Sequence, residues 1–169
     1  MTAQEIISLL DLKPLTGEGG YFRETYRDME TLPGTAFSKG FQNAKHLSTA
    51  IFYLLTPDTC SALHRLPADE VYHFYLGDPV NMLQLYPDGS SRMVTLGPDL
   101  AAGQQVQVIV PKDVWQGSFL KEGGSYALMG TTMAPGFDFS DFETGKRDEL
   151  IRKYPTQKEF IRRLTDDHR

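Results

Sequence analysis

The segment HRLPADEVYHFYLG, residues 64–77, holds two histidines and a glutamate and closes on a glycine. An imidazole near a carboxylate can hold a metal, move a proton as base and acid, or hydrogen-bond a bound molecule. The same pair can also be structural, each group satisfying the other in a core. Which of these applies depends on where the side chains point. Read as two strands around a Pro-Ala-Asp turn, the segment sorts by alternation. Cys60, Ala62, His64 and Leu66 fall on one face of the first strand. Glu70, Tyr72, Phe74 and Leu76 fall on one face of the second, and His73 on the other. His64 and Glu70 are therefore expected to converge.

Other residues could serve the same hollow. Tyr72 and Phe74 would form an aromatic wall, and Tyr72 or Tyr53 could supply an acidic proton. Arg23 and Arg27, on one face of YFRETYR by alternation, could clamp an anion at the mouth, since guanidinium binds such groups in two-point fashion. Ordinary ion pairing with nearby acids is the alternative. Cys60 is the one soft atom on the His64 face, although a lone buried cysteine usually acts as a small hydrophobe. Trp115 faces away by alternation and is assigned to packing. His46 and His168 sit in polar surroundings and are assigned no role.

The elements that must position these groups are mostly strands. Thr2 stands three residues before Glu5, a capping-box spacing, and opens a short N-terminal helix that Pro14 stops. Residues 28–46, rich in Gly, Thr, Ser and Pro, read as a loop. LSTAIFYLLT, CSALHRL, EVYHFYLG, VNMLQLY, SRMVTL, VQVIV, VWQGSFL and SYALMGTTM follow as strands between turn signals, with Pro87-Asp88-Gly89 marking a hairpin. FDFSDFE, after Pro135-Gly136, is expected to pack over an edge or mouth. The tail reads as helical over about 146–166, with a second helix capped by Thr156 and Glu159 and burying Phe160, Ile161 and Leu164. This pattern predicts an all-β sandwich or barrel within one domain, its barrel spanning about 18–142.

Composition narrows the partners. The chain has 169 residues, 40% hydrophobic and 23% charged, with a net charge of −5 and scattered basic residues. That balance argues against a nucleic-acid surface. The single cysteine allows no internal disulfide, and no apolar stretch approaches membrane-spanning length, so a cytoplasmic location is expected.

The spacing also resembles that of the cupin superfamily, small jelly-roll barrels. Their first motif reads His-x-His, three or four residues, Glu, six residues, Gly; here His64, Leu66, Glu70 and Gly77 occupy those places. Their second motif reads Pro-x-Gly, two residues, His, three residues, Asn; here Pro111, Asp113, Gln116 and Leu120 stand there. Leucine cannot ligate a metal and Gln116 offers only a weak carbonyl oxygen. Two strong ligands fall short of the three that a catalytic site normally uses, so no tightly held metal is expected. A weakly bound divalent ion at His64, Glu70 and Gln116 remains an alternative.

Across its length the chain is similar to the cupin-5 branch, through EGG and the aromatic–Arg stretch from Glu18 to Arg23, His64-Arg65 with Asp69-Glu70 and Gly77, LGPDLAAG at 96–103, and APGFDFSDFE at 134–143. This resemblance implies a jelly-roll barrel with helices at both termini, and a homodimer. The chain is also similar to the metal-free dTDP-dehydrorhamnose epimerases. Their RGxFxE block resembles residues 19–24, and their catalytic histidine follows a leucine, as His64 follows Leu63. The aspartate that pairs with that histidine corresponds to Asn81, with Glu70 as a substitute. The expected function is a small-molecule pocket in the barrel for a sugar-like or carboxylate ligand. His64, Glu70 and Tyr72 would be its reactive groups, and Tyr53, Phe74, Gln116 and Arg23 its binding groups. A metal-dependent enzyme and a non-catalytic binding dimer remain open.

Overall fold

The computed structural model describes residues 1–37 and 41–165. His168, the end of the expected helical tail and positions 38–40 of the expected 28–46 loop lie outside them. Helix α1 (Ala3–Leu9) opens the chain. Thirteen strands follow: β1 (Lys13–Pro14), β2 (Tyr21–Arg27), β3 (Thr31–Leu32), β4 (Lys45–His46), β5 (Thr49–Leu55), β6 (Cys60–Arg65), β7 (Glu70–Gly77), β8 (Val80–Leu85), β9 (Ser91–Leu96), β10 (Gln107–Val110), β11 (Trp115–Leu120), β12 (Ala127–Met133) and β13 (Glu143–Thr144). Helices α2 (Arg147–Lys153) and α3 (Lys158–Leu164) close the chain.

Two antiparallel sheets face each other. One has the order β1-β2-β5-β12-β7-β10 and the other β13-β6-β11-β8-β9. From β5 to β8 and again from β9 to β13 consecutive strands alternate between the sheets, so chemistry on adjacent β6 and β7 meets across the interior rather than along one surface. The strands form because β-branched and aromatic residues recur with period two, which suits a pleated, half-buried surface. The layer between the sheets is apolar: Tyr53, Leu55, Tyr72, Phe74, Val80, Met82, Val94, Leu96, Val108, Val110 and Met129 are all buried there.

The caps only partly follow expectation. Thr2 and Glu5 form the complete capping box. Thr156 instead lies in a 3-10 turn (Pro155–Gln157), and α3 starts without a side-chain cap. Ile161 and Leu164 are fully buried against Leu63, Leu83 and Phe119, but Phe160 is only half covered, its ring stacked on Phe119. The expected 28–46 loop contains a short ribbon in which β3 pairs with β4.

Three register shifts alter the expected faces. Strand β2 slips against β5 between Glu24 and Tyr26, leaving Thr25 extra. Strand β7 slips against β12 at Tyr75, and β6 slips against β11 between Ser61 and His64. Because side chains alternate with period two, one extra residue reverses every face beyond it. Leu76 therefore leaves the face of Glu70, Tyr72 and Phe74 and packs with Leu54 and Leu128 under α1. Cys60 packs with Leu63 and Phe119 against the C-terminal helices, not beside His64. Arg23 and Arg27 likewise lie on opposite faces.

Candidate functional site: a closed polar cavity in the barrel

His64 and Glu70 line one cavity of about 40 Å³, together with Leu15, Glu18, Phe22, Thr49, Ile51, Tyr53, Leu66, Tyr72, Thr131, Met133 and Phe137. A water needs roughly 10–15 Å³ of such space, so about three fit. Both key side chains are almost wholly buried.

The imidazole of His64 is held on two sides. Its Nδ1 donates to the Ala62 carbonyl at 2.7 Å, and its ring stacks on Phe142 at 4.8 Å. A carbonyl can only accept, so Nδ1 carries the proton and Nε2 is left as the open nitrogen, an acceptor in the neutral ring. Glu70 stands across from it on β7. Its Oε2 accepts from Gln116 Nε2 at 2.6 Å, which joins the two sheets through the interior. Burial pushes the Glu70 carboxyl above its ordinary value; His64 pulls it down, the Glu18 charge adds to the rise, and hydrogen bonds from Thr131 and Gln116 pull it back.

The two phenols differ in their bonding. Tyr53 donates to the Gly19 carbonyl at 2.9 Å. Burial is the leading cause that raises both Tyr53 and Tyr72 well above the ordinary phenol value, with Glu18 and Glu70 adding to it. Both are therefore firmly protonated at neutral pH.

Glu18 is the principal residue that pattern reading left out of the site. It accepts from Ser61 Oγ at 2.7 Å and reaches the cavity from the turn before β2. Gly19 and Gly20 place it there, both at positive φ. A side chain at Gly19 would run into the Cys60 carbonyl, so this turn requires glycine. The available signal was a carboxylate set between glycines at a strand entrance. Phe137 and Phe142 belong to the segment expected to pack over an edge or mouth. Phe137 lines the cavity, and its backbone N–H bonds Thr49 Oγ1 at 2.9 Å.

The other sequence candidates lie further out. Phe74 belongs to the buried layer but does not line the cavity. Gln116 reaches it through Glu70. Arg23 lies over the Phe52 ring on the outer face, 5.5 Å from its centroid. Arg27 binds Glu24 at 2.9 and 2.6 Å and the Phe137 carbonyl at 3.2 Å. No Arg pair clamps the mouth. His73 bonds Thr132 and Gln107 on the outer face. Asn81 accepts from Thr95 at 3.0 Å, along the outer pairing of β8 and β9, away from His64. Trp115 packs outside under Arg65.

The donor set does not fit a transition metal. Leu66 offers no ligand, and Gln116, its Nε2 given to Glu70, offers only a weak carbonyl oxygen. Among the described residues no three His, Cys, Asp or Glu side chains gather into a metal-holding group. Asp113 stands at a positive φ of 67, at the place where the cupin motif has glycine, and its N–H caps the Leu66 carbonyl at 2.9 Å. Aspartate is among the few non-glycine residues that tolerate that conformation.

Comparisons with known proteins agree with this architecture. Residues 4–145 match the cupin-5 family model, described as Cupin superfamily (DUF985). A yeast protein named uncharacterized protein YML079W, from Saccharomyces cerevisiae, is 32% identical over 143 residues, covering 80% of this chain and 71% of its own. The structure of a hypothetical protein from Leishmania major is 30% identical with a TM-score of 0.87, covering 97% of this chain and 98% of its own. An oxalate decarboxylase from Bacillus subtilis is 15% identical with a TM-score of 0.54, covering 92% of this chain and 38% of its own, a likeness of fold alone. The relatives are named only as uncharacterized or hypothetical. With its two facing sheets, its terminal helices and this match over most of its length, the chain belongs to the cupin superfamily, in the DUF985 family.

Proposed function

We propose that the protein binds a small polar molecule inside the barrel, on His64 and Glu70, without a tightly held transition metal. The observation that carries this reading is the cavity itself: an enclosed space with apolar walls and a few converging polar groups, the usual composition of a ligand site. A self-satisfied structural pair would bond His64 to Glu70. Instead each bonds elsewhere, His64 to Ala62 and Glu70 to Gln116, and His64 Nε2 is left for an occupant. In the neutral ring the same Nε2 would serve as a general base toward a bound C–H or O–H acid. The epimerase reading has less support, because Asn81 lies away from His64.

The test is a thermal-shift and NMR screen of small alcohols, sugars, amines and carboxylic acids, with His64→Ala and Leu100→Ala as the paired variants. A ligand that binds N and not U raises the melting temperature with dose. The expected result is a dose-dependent rise that His64→Ala abolishes and Leu100→Ala, exposed outside the cavity, leaves intact. Hits that ignore His64→Ala would overturn the reading.

A homodimer is supported by the family resemblance and by the exposed Tyr75 and Ile109 of strands β7 and β10. Light scattering of the purified chain tests it, and a monomer at micromolar concentration would refute it. No helix among the described residues is long and apolar enough to cross a membrane.

A further inference from the structure

The ligand class follows from a census of the cavity's polar atoms, taken on the binding reading above. Hydrogen-bond acceptors dominate. Glu18 and Glu70 are carboxylates. His64 turns Nδ1 to the Ala62 carbonyl and presents Nε2 to the space, as an acceptor when the ring is neutral. The Tyr53 hydroxyl has given its proton to Gly19, and Thr49 Oγ1 already accepts from Phe137. The donors are few: the hydroxyls of Tyr72, Thr49 and Thr131, the last engaged with Glu70. Among the described residues no Lys or Arg lines the space. The cations nearest in sequence logic are committed elsewhere: Arg23 to Phe52, Arg27 to Glu24 and Phe137, and Lys45 to Asp141.

Aromatic faces complete the enclosure. Phe22, Tyr53, Tyr72 and Phe137 surround the carboxylates. Carboxylates inside an aromatic cage attract a positive charge twice over, by direct Coulomb attraction and by the ring quadrupoles. An anionic ligand would face two carboxylates, with the single His64 imidazole to set against them. A neutral polyol could meet the acceptors but would leave the charge of Glu18 and Glu70 uncompensated.

We propose that the cavity binds a small organic ammonium ion, its N–H groups donating to Glu70 and Glu18 and its short carbon chain lying against Phe22, Phe137 and Tyr72. The volume of about 40 Å³ sets the size. It admits about three or four non-hydrogen atoms, by the space one water needs. A longer amine requires the Phe137 segment to move outward, against its bonds to Thr49 and Arg27.

The experiment is a two-dimensional amide NMR titration of the full chain near neutral pH, with EDTA present to exclude metal ions. The probes are n-propylammonium, 1-propanol and propionate, which share shape and differ in charge. Propylammonium should shift the amides of Ser61–Arg65 and Glu70–Phe74, binding at least about ten-fold more tightly than the other two, the equivalent of one charge-relieving contact. Glu18→Gln, at a half-exposed turn position, should lower that affinity about ten-fold. Its amide spectrum away from the cavity should match wild type.

Equal or tighter binding of propanol or propionate overturns the ammonium assignment, as does an unmoved cavity spectrum at saturating propylammonium. If the broader screen still yields a ligand that His64→Ala abolishes, the pocket stands and only its charge class falls. If neither experiment moves the cavity amides, the pocket reading falls with it.

Discussion

Gln116 Nε2 donates to Glu70 Oε2 at 2.6 Å, and this bond ties β11 to β7 through the middle of the barrel. It is a hydrogen bond to a buried ionisable group, which places it among the stronger kinds. It also leaves Gln116 Oε1 buried and unpartnered. The pair therefore combines a satisfied donor with an unmet acceptor.

Removing the donor alone should be costly. Gln116→Leu leaves the Glu70 carboxylate buried with one less hydrogen bond, and a loss of about 1–3 kcal/mol is expected. Urea denaturation of both proteins measures it. In a Glu70→Gln background the same substitution should cost clearly less, since no charge is then stranded. Equal losses in the two backgrounds would show that the bond carries no such weight.

Glu70 should also set a pH dependence of stability. Its folded-state pKa is raised, with burial as the first cause, so the folded protein holds that proton more tightly than the unfolded chain. Stability from this group is therefore greatest at pH below the ordinary glutamate value. It falls as pH rises from that value through the raised one, and then levels off. The titratable groups that face it are His64, Glu18, Tyr53 and Tyr72. Glu70→Gln should gain on wild type across that window and not below it, read as urea midpoints over a pH series. A constant difference would contradict the shift.

Lys45 and Asp141 pair with the lysine nearly buried and the aspartate less so. Breaking a buried pair costs more when the group left behind is the deeper one. Asp141→Asn strands Lys45 and is expected to cost about 3 kcal/mol or more. Lys45→Met strands only the more accessible Asp141 and should cost markedly less. The reverse order, measured by denaturant unfolding, would refute this account.

Phe142 should position His64 without touching a ligand. Its ring stacks on the imidazole, and it belongs to the small cluster of Leu66, Ala68 and Met133. Phe142→Leu keeps much of the volume and removes the stack, so a stability loss of about 1 kcal/mol is expected. The His64 ring protons should then show a changed NMR shift and faster ring motion. Unchanged His64 resonances would show that the stack does not hold the ring.

Much of this architecture was legible in the residues themselves. The capping box at Thr2 and Glu5, the hairpin at Pro87-Asp88-Gly89 and the strand runs all appear where local chemistry puts them. The convergence of His64 with Glu70 and Tyr72 also followed from alternation, because β6 and β7 are regular over those residues. Alternation failed wherever an extra residue entered a strand. Thr25 separated Arg23 from Arg27, Tyr75 turned Leu76 outward, and the shift in β6 removed Cys60 from the His64 face.

The chain sequence by itself determined which segments are strands, which turn residues punctuate them, and the family of barrel they build, because these depend on short-range propensity and on a period of two. Tertiary structure alone decided the occupants of the cavity. Glu18 enters from a turn through a glycine contact with Cys60, a residue distant in sequence, and Phe137 closes the mouth through a bond to Thr49. The charge of the cavity, and with it the class of molecule it can hold, arises from contacts between residues far apart along the chain. No local pattern in the sequence encodes such contacts.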